Sequence, residues 1–220
     1  SLGILGSSNV KIKSLFIKDK LERTIKSLKE NGFEVEVVDT PAEAEKAAIN
    51  LIPEGSSISM GGSVTLNMTE LLKKFRTDKY KFFERFNQPT WEATVKVMRE
   101  SLLSDFLVTG TNAVTEDGFL MQIDSGGNRV AGMAYGPKNV IVITGVNKIV
   151  KDIHEGYERL YYAGPLNSKR LNHKTPCNFT GKCEDCTTGM RMCNLVSAVK
   201  SGNRPFGKTY IIFINDNLGY

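Results

Sequence analysis

"NVIVITG", Asn139–Gly145, is a continuous apolar run bounded by polar and glycine residues. A run of that kind is typical of a central strand buried on both faces of a parallel sheet. On its C-terminal side Ile149, Val150, Ile153, Tyr157, Leu160 and Tyr161 recur at helical spacing. "TYIIFIND" then closes the chain as a last core strand. On its N-terminal side "DFLVTGTNAV" contains a buried strand, and "FLMQID" is another after the turn at Asp117-Gly118. Further upstream "SSISM", Ser56–Met60, and "EVEVVD", Glu34–Asp39, read as strands. Helices fall between them. Ile12, Leu15, Phe16, Leu21, Ile25 and Leu28 share one face, and "NGF" at 31–33 supplies the stop. Thr40, Pro41 and Glu43 form an N-cap, a first-position proline and a capping box. Further helices are predicted from about Val64 to Phe75 and from about Trp91 to Leu103. This alternation predicts an α/β protein, a three-layer α/β/α sandwich. The region from about Gly164 to Arg191 has no strong pattern, and a long irregular loop in a compact domain is usually functional.

The 220 residues suit one large domain, with 40% hydrophobic and 24% charged residues. The net charge of +5 is spread along the chain among acids. The densest run, "KKFRTDKYKFFERF", reads as a solvated helix face rather than a nucleic-acid groove. No apolar run approaches the roughly 20 residues of a membrane span. No signal peptide is visible, so a cytoplasmic location is expected.

In open α/β sheets a ligand sits at the carboxyl ends of the strands. Two segments there carry chemistry. In "SMGGSVTLNMTE" a strand runs into Gly61, Gly62 and Ser63 and then a helix. Glycines allow close backbone approach, and free N–H groups at a helix start attract anions. The segment is neither a Walker A loop nor a Rossmann fingerprint, and a plain β–α turn capped by Ser63 explains it as well. The second segment places Asn112, Thr115, Glu116 and Asp117 after one strand and Asp124, Asn128 and Arg129 after the next. Glu116 and Asp117 are the candidates for proton transfer, with Asn112, Asp124 and Arg129 as ligand-binding groups. The competing reading is ordinary hairpin-turn chemistry at Asp117-Gly118 and Gly126-Gly127-Asn128.

All four cysteines, Cys177, Cys183, Cys186 and Cys193, lie in the loop at about 174–194. The central Cys183–Cys186 pair has metal-knuckle spacing, although the full spacing matches neither a standard zinc ribbon nor a bacterial ferredoxin run. Three readings stand side by side: a four-thiolate iron–sulfur or zinc site, redox-active thiols without metal, and unliganded loop cysteines. His173 is a further possible ligand.

The runs "MGGSVTL", "TGTNAVTEDGFLMQIDSGGNRVAGMAYGPKNVIVITGVNKIV", "TPCNFTGKCEDC…RMCN" and "YIIFINDNLGY" resemble the LUD (lactate-utilisation) family over essentially the whole chain. The resemblance implies one LUD domain over 1–220, with a NagB/RpiA/CoA-transferase-like fold. In that superfamily a Gly-rich strand–turn–helix binds phosphate or a CoA-like group, and Gly61, Gly62 and Ser63 match its position. The turn at Glu116, Asp117 and Gly118 corresponds to where relatives keep site residues. Some family members act in an iron–sulfur complex that oxidises L-lactate to pyruvate, while others stand alone. The resemblance therefore implies oxidation of lactate or a related 2-hydroxy acid, with a small anionic metabolite and iron–sulfur redox subunits as partners. The alternative it leaves is a stand-alone enzyme or binder of a phosphorylated or CoA-linked metabolite with a structural zinc site.

Overall fold

In the computed structural model the backbone is described for residues 2–220 and the side chains from residue 15 onward. The central sheet is built from β1 (Glu34–Val38), β2 (Ser57–Met60), β3 (Lys81–Phe82), β4 (Phe106–Thr109), β7 (Asn139–Gly145) and β11 (Gly207–Ile214). Their order is β1-β11-β7-β4-β2-β3, and every pairing along it is parallel. A short β10 (Asn203–Arg204) hangs antiparallel on β11. The apolar run chosen from the sequence is β7 itself, with β4 and β11 on its two sides.

The alternation of side chains along β7 divides the core. Ile141 and Ile143 pack with Ile58, Phe106, Val108, Ile212 and Ile214 against α2 (Pro41–Asn50) and α3 (Leu71–Phe75). Val140 and Val142 pack with Leu107, Ile211 and Phe213 on the opposite face, against α1 (Leu2–Glu30) and α5 (Asn128–Ala134). The expected α/β/α sandwich is therefore present. It also holds an element the sequence did not announce. A second sheet, ordered β8 (Ile149–Val150), β5 (Ala113–Thr115), β6 (Leu120–Asp124) and β9 (Leu195–Val199), joins the second face. Its far side packs on α6 (Ile153–Arg170) through Ala113, Met121, Ile123, Val150 and Leu160.

Local chemistry sets the boundaries. Thr40 Oγ1 accepts from Glu43 N at 3.2 Å and Glu43 Oε2 accepts from Thr40 N at 3.1 Å, so the capping box forms as expected. The predicted α4 (Trp91–Glu100) is capped by Thr90 and ends in a short 3₁₀ turn at Ser101–Leu103. The helix expected over Val64–Phe75 is broken. A 3₁₀ turn at Leu66–Met68 ends at extended Thr69, whose hydroxyl donates to Leu66 O at 2.7 Å. Ile149 and Val150 belong to strand β8, and α6 begins only after Asp152 caps Glu155 N at 3.0 Å. On α1, Leu21 and Leu28 are buried but Leu15 and Phe16 are exposed, and the side chain of Ile12 lies outside the described residues. Among the described residues no helix is long and apolar enough to cross a membrane.

Candidate functional site

β2 and β4 are adjacent parallel strands, so the turns leaving their carboxyl ends lie side by side. One turn is Gly61-Gly62-Ser63-Val64 and the other is Gly110-Thr111-Asn112. Together with Arg129, Lys148, Asn167 and Tyr220 they line a narrow cleft. A Cβ on Gly110 would collide with the Ser63 side chain, so glycine lets the two turns meet. The backbone N–H groups of Gly62, Ser63, Val64, Gly110 and Thr111 meet no acceptor among the described residues. Successive free N–H groups in such turns make an anion-binding concavity. Ser63 has a structural role as well, because its Oγ accepts from Leu66 N at 3.4 Å.

Four cations surround these turns. Arg129 Nη2 donates to Ile123 O at 2.7 Å, and its Nε stands 3.5 Å from Asp124 Oδ1. Asp124 is buried and caps the start of α5, accepting from Arg129 N at 2.9 Å and Val130 N at 3.3 Å. Its carboxylate therefore orients Arg129 and is committed to that task. Asn112 is buried, accepts from Ile123 N at 3.1 Å, and lines the cleft. Arg159, from α6, donates to Asn112 O at 2.9 Å, and its Nη2 is buried without a partner. Arg85 donates to Met60 O at 3.0 Å, and its Nη2 lies 2.8 Å from where a Cβ on Gly62 would be.

Lys148 is the least expected member. It is 3% exposed, and its Nζ donates to Thr65 Oγ1 at 3.0 Å and Thr111 O at 3.1 Å. Both acceptors are neutral, and no carboxylate among the described residues pairs with it. Burial pushes its pKa down to about 8, and the nearby Arg159 and Arg129 guanidiniums add to the fall. Burial also lowers Arg85, with Arg129 as the next cause. Like charges thus lie near one another, and among the described residues Asp124 is the carboxylate paired with one of them, Arg129. Such an arrangement is costly empty and is relieved by an anion.

Of the residues singled out from the sequence, Gly62, Ser63, Asn112 and Arg129 line the cleft, and Gly61 and Asp124 lie behind them against Arg129. It does not gather Glu116 and Asp117. Those residues follow β5 at its far end, roughly 13 Å along the chain from Asn112 at about 3.3 Å per residue. Glu116 accepts from Arg23 Nε at 3.0 Å and Nη2 at 2.9 Å, tying the hairpin to α1. Asp117 is exposed in the hairpin turn, where Asn31 holds its carbonyl at 3.2 Å. Glu116→Gln is accordingly expected to leave anion binding unchanged in calorimetry. Its cost in unfolding free energy should stay near 1 kcal/mol, as for a partly exposed ion pair.

The cysteine loop forms a second concavity. All four thiols line one pocket against Leu160, Gly164, Pro165 and Ser168 of α6. The short α7 (Pro176–Thr180) carries Cys177, whose Sγ lies 3.2 Å from Thr175 Oγ1. Asp185 is held in the left-handed region at φ 42°, and its N–H donates to Cys183 Sγ at 3.4 Å. Arg191 clasps the loop, donating to Cys186 O at 2.7 Å, Cys193 O at 3.2 Å and Asp185 Oδ1 at 2.8 Å. The thiols are free. Among the described residues no group of three or more His, Cys, Asp or Glu side chains stands in the arrangement of an ion's ligands. His173 does not line this pocket.

A parallel-sheet α/β sandwich with a cleft lined by Arg129 and Lys148 at the carboxyl ends of β2 and β4 defines the class of this protein. The chain belongs to the LUD domain family, whose model matches residues 21–214. Among solved structures it is similar to a DUF162 family protein from Deinococcus radiodurans. The two share 13% identity and a TM-score of 0.53 over 90% of this chain and 98% of that one, a likeness of fold. A weaker likeness links it to eIF2B beta from Chaetomium thermophilum, at 19% identity and a TM-score of 0.32 over 52% of this chain and 44% of that one. No curated protein sequence matches the chain.

Proposed function

We propose that this LUD protein binds a compact carboxylate or phosphate metabolite in the cleft between the β2 and β4 turns, and that it acts in oxidation of lactate or a related 2-hydroxy acid. The observation that carries this reading is Lys148: a buried amine without a carboxylate partner, beside a row of free N–H groups. Asn112 and Arg129, which line the cleft, supply directional donors for a carboxylate or phosphate, and Arg159, held on Asn112 O, adds positive charge nearby. The cleft is narrow, with about 300 Å³ of empty space counting its open mouth, so a ligand of few heavy atoms suits it. An intact CoA group is far larger than such a ligand, which weighs against the CoA-linked alternative while leaving a small phosphorylated metabolite open.

The four-cysteine pocket supports a metal reading beside it. Its donor set is all thiol, and an N–H already donates to Cys183 Sγ, the kind of outer-shell hydrogen bond that orients a metal-binding group. Cys177, Cys183, Cys186 and Cys193 would hold the group. An iron–sulfur cluster would supply one-electron transfer, consistent with a place in an iron–sulfur redox complex; a zinc ion would clamp the loop.

Calorimetric titration with L-lactate, pyruvate, inorganic phosphate and CoA tests the cleft. Saturable binding of at least one small anion, competed by phosphate, is expected. Absence of binding by all four would overturn the reading.

A further inference from the structure

We propose that Lys148 is a nucleophilic amine that forms an imine with the carbonyl carbon of a 2-oxo acid held in the cleft. The inference rests on the anion-binding reading and names the substrate class for it. Three observations converge on this side chain. First, its two hydrogen bonds run to Thr65 Oγ1 and Thr111 O, which leaves one tetrahedral position of the nitrogen uncommitted. The cleft is the open space that Lys148 borders. Second, the site is arranged against a permanent ammonium. The side chain is buried, its hydrogen-bond acceptors are neutral, and Arg129 and Arg159 lie near it. A lysine desolvated in a pocket or set beside another cation is the usual form of an activated amine. With its pKa at about 8, roughly a tenth of the amine is neutral at pH 7.

Third, the neighbouring groups can anchor a carboxylate next to the amine. Arg129 lines the cleft together with Lys148, and the N–H groups of Gly62, Ser63, Gly110 and Thr111 meet no acceptor among the described residues. A 2-oxo acid carries a carboxylate for those donors and, one bond away, a carbonyl for the amine. A phosphate or a 2-hydroxy acid satisfies only the first requirement.

The step balances without an oxidant or reductant. The nitrogen lone pair forms the C–N bond as the carbonyl π pair moves to oxygen. Two protons pass from nitrogen to that oxygen, which leaves as water, and the C=N bond remains. Formation of the imine fixes the substrate and makes its carbon skeleton an electron sink.

Hydride trapping of the intact protein reads this out. The protein is incubated with pyruvate and sodium cyanoborohydride, digested, and mapped by mass spectrometry. A carboxyethyl adduct should form on Lys148 at least about tenfold faster than on the exposed Lys26 and Lys96. Excess inorganic phosphate should slow labelling of Lys148 alone. The site is read on the unmodified sequence, so no substituted protein has to fold. Calorimetric binding of pyruvate without preferential labelling of Lys148 overturns the imine and leaves the anion cleft standing. Absence of both binding and preferential labelling overturns the two together.

Discussion

Gly62→Val is expected to weaken binding of pyruvate or phosphate by roughly ten- to a hundredfold, the scale of losing one hydrogen bond to a charged group at about 1.5–3 kcal/mol. The reason is spatial. A Cβ on Gly62 would already lie 2.8 Å from Arg85 Nη2, and valine adds two methyl groups beyond it. Those methyls cover the N–H groups of Gly62 and Ser63 and drive the Arg85 guanidinium out of its place beside them. The backbone itself tolerates the change, because Gly62 is not among the glycines with positive φ. The atom that must move is the end of a flexible side chain, so unfolding free energy should fall by less than about 2 kcal/mol. Calorimetry and thermal unfolding on the same preparation separate the two effects. An unchanged affinity in a folded Gly62→Val protein would show that the turn is only a connection between β2 and the 3₁₀ turn at Leu66–Met68. Ser63 Oγ does accept from Leu66 N at the start of that turn, so the bland reading of the segment has its own structural basis.

What the sequence made legible follows from distance along the chain. β7 and the Thr40 cap are local facts, written in a few adjacent residues, and both stand as read. The Gly61–Ser63 turn was legible because glycines after a strand are themselves a local signal. Lys148 was not. Its burial depends on Thr65, 83 positions away, and on Thr111, 37 positions away. The one clue was a lysine inside "GVNKIV", between residues that pack in the core. Arg85 and Arg159 are concealed in the same way, since each looks like a surface cation until its partners Met60 O and Asn112 O are known. The acidic turn misled for a different reason. Ligands gather at the carboxyl ends of strands in a parallel sheet. β5 belongs to the other sheet, and its carboxyl end leads away from the cleft into an antiparallel hairpin with β6. Asp117-Gly118 was therefore what it most simply resembled, a hairpin turn, and Glu116 serves α1.

The largest expected effect lies in the cysteine loop. Protein purified without oxygen should carry about one metal centre, and Cys183→Ser and Cys186→Ser should each lose it, because one missing thiolate opens a four-ligand shell. Binding of a structural metal is worth on the order of 10 kcal/mol in small thiol sites, so partial occupancy is not the expected outcome. Cys183 is the sharper of the two. Its sulfur already accepts the Asp185 N–H at 3.4 Å, and Asp185 adopts a left-handed conformation to deliver it. The loop itself should persist in both variants, since Arg191 ties Cys186 O, Cys193 O and Asp185 together through backbone and carboxylate oxygens. Loss of the metal should nevertheless be felt at the anion cleft. α6 presents Leu160, Gly164 and Ser168 to the cysteine pocket and, on the adjacent side, Arg159 and Asn167 to the cleft region. A loosened loop frees one flank of the helix that positions Arg159, so small-anion affinity should fall severalfold in Cys183→Ser while the core sheet keeps its unfolding transition. Elemental analysis and acid-labile sulfide separate the chemistries: iron with sulfide identifies a cluster, and zinc alone identifies a clamp. Wild-type protein prepared without oxygen and found free of metal would end both, and the four thiols would then stand as redox groups in their own right.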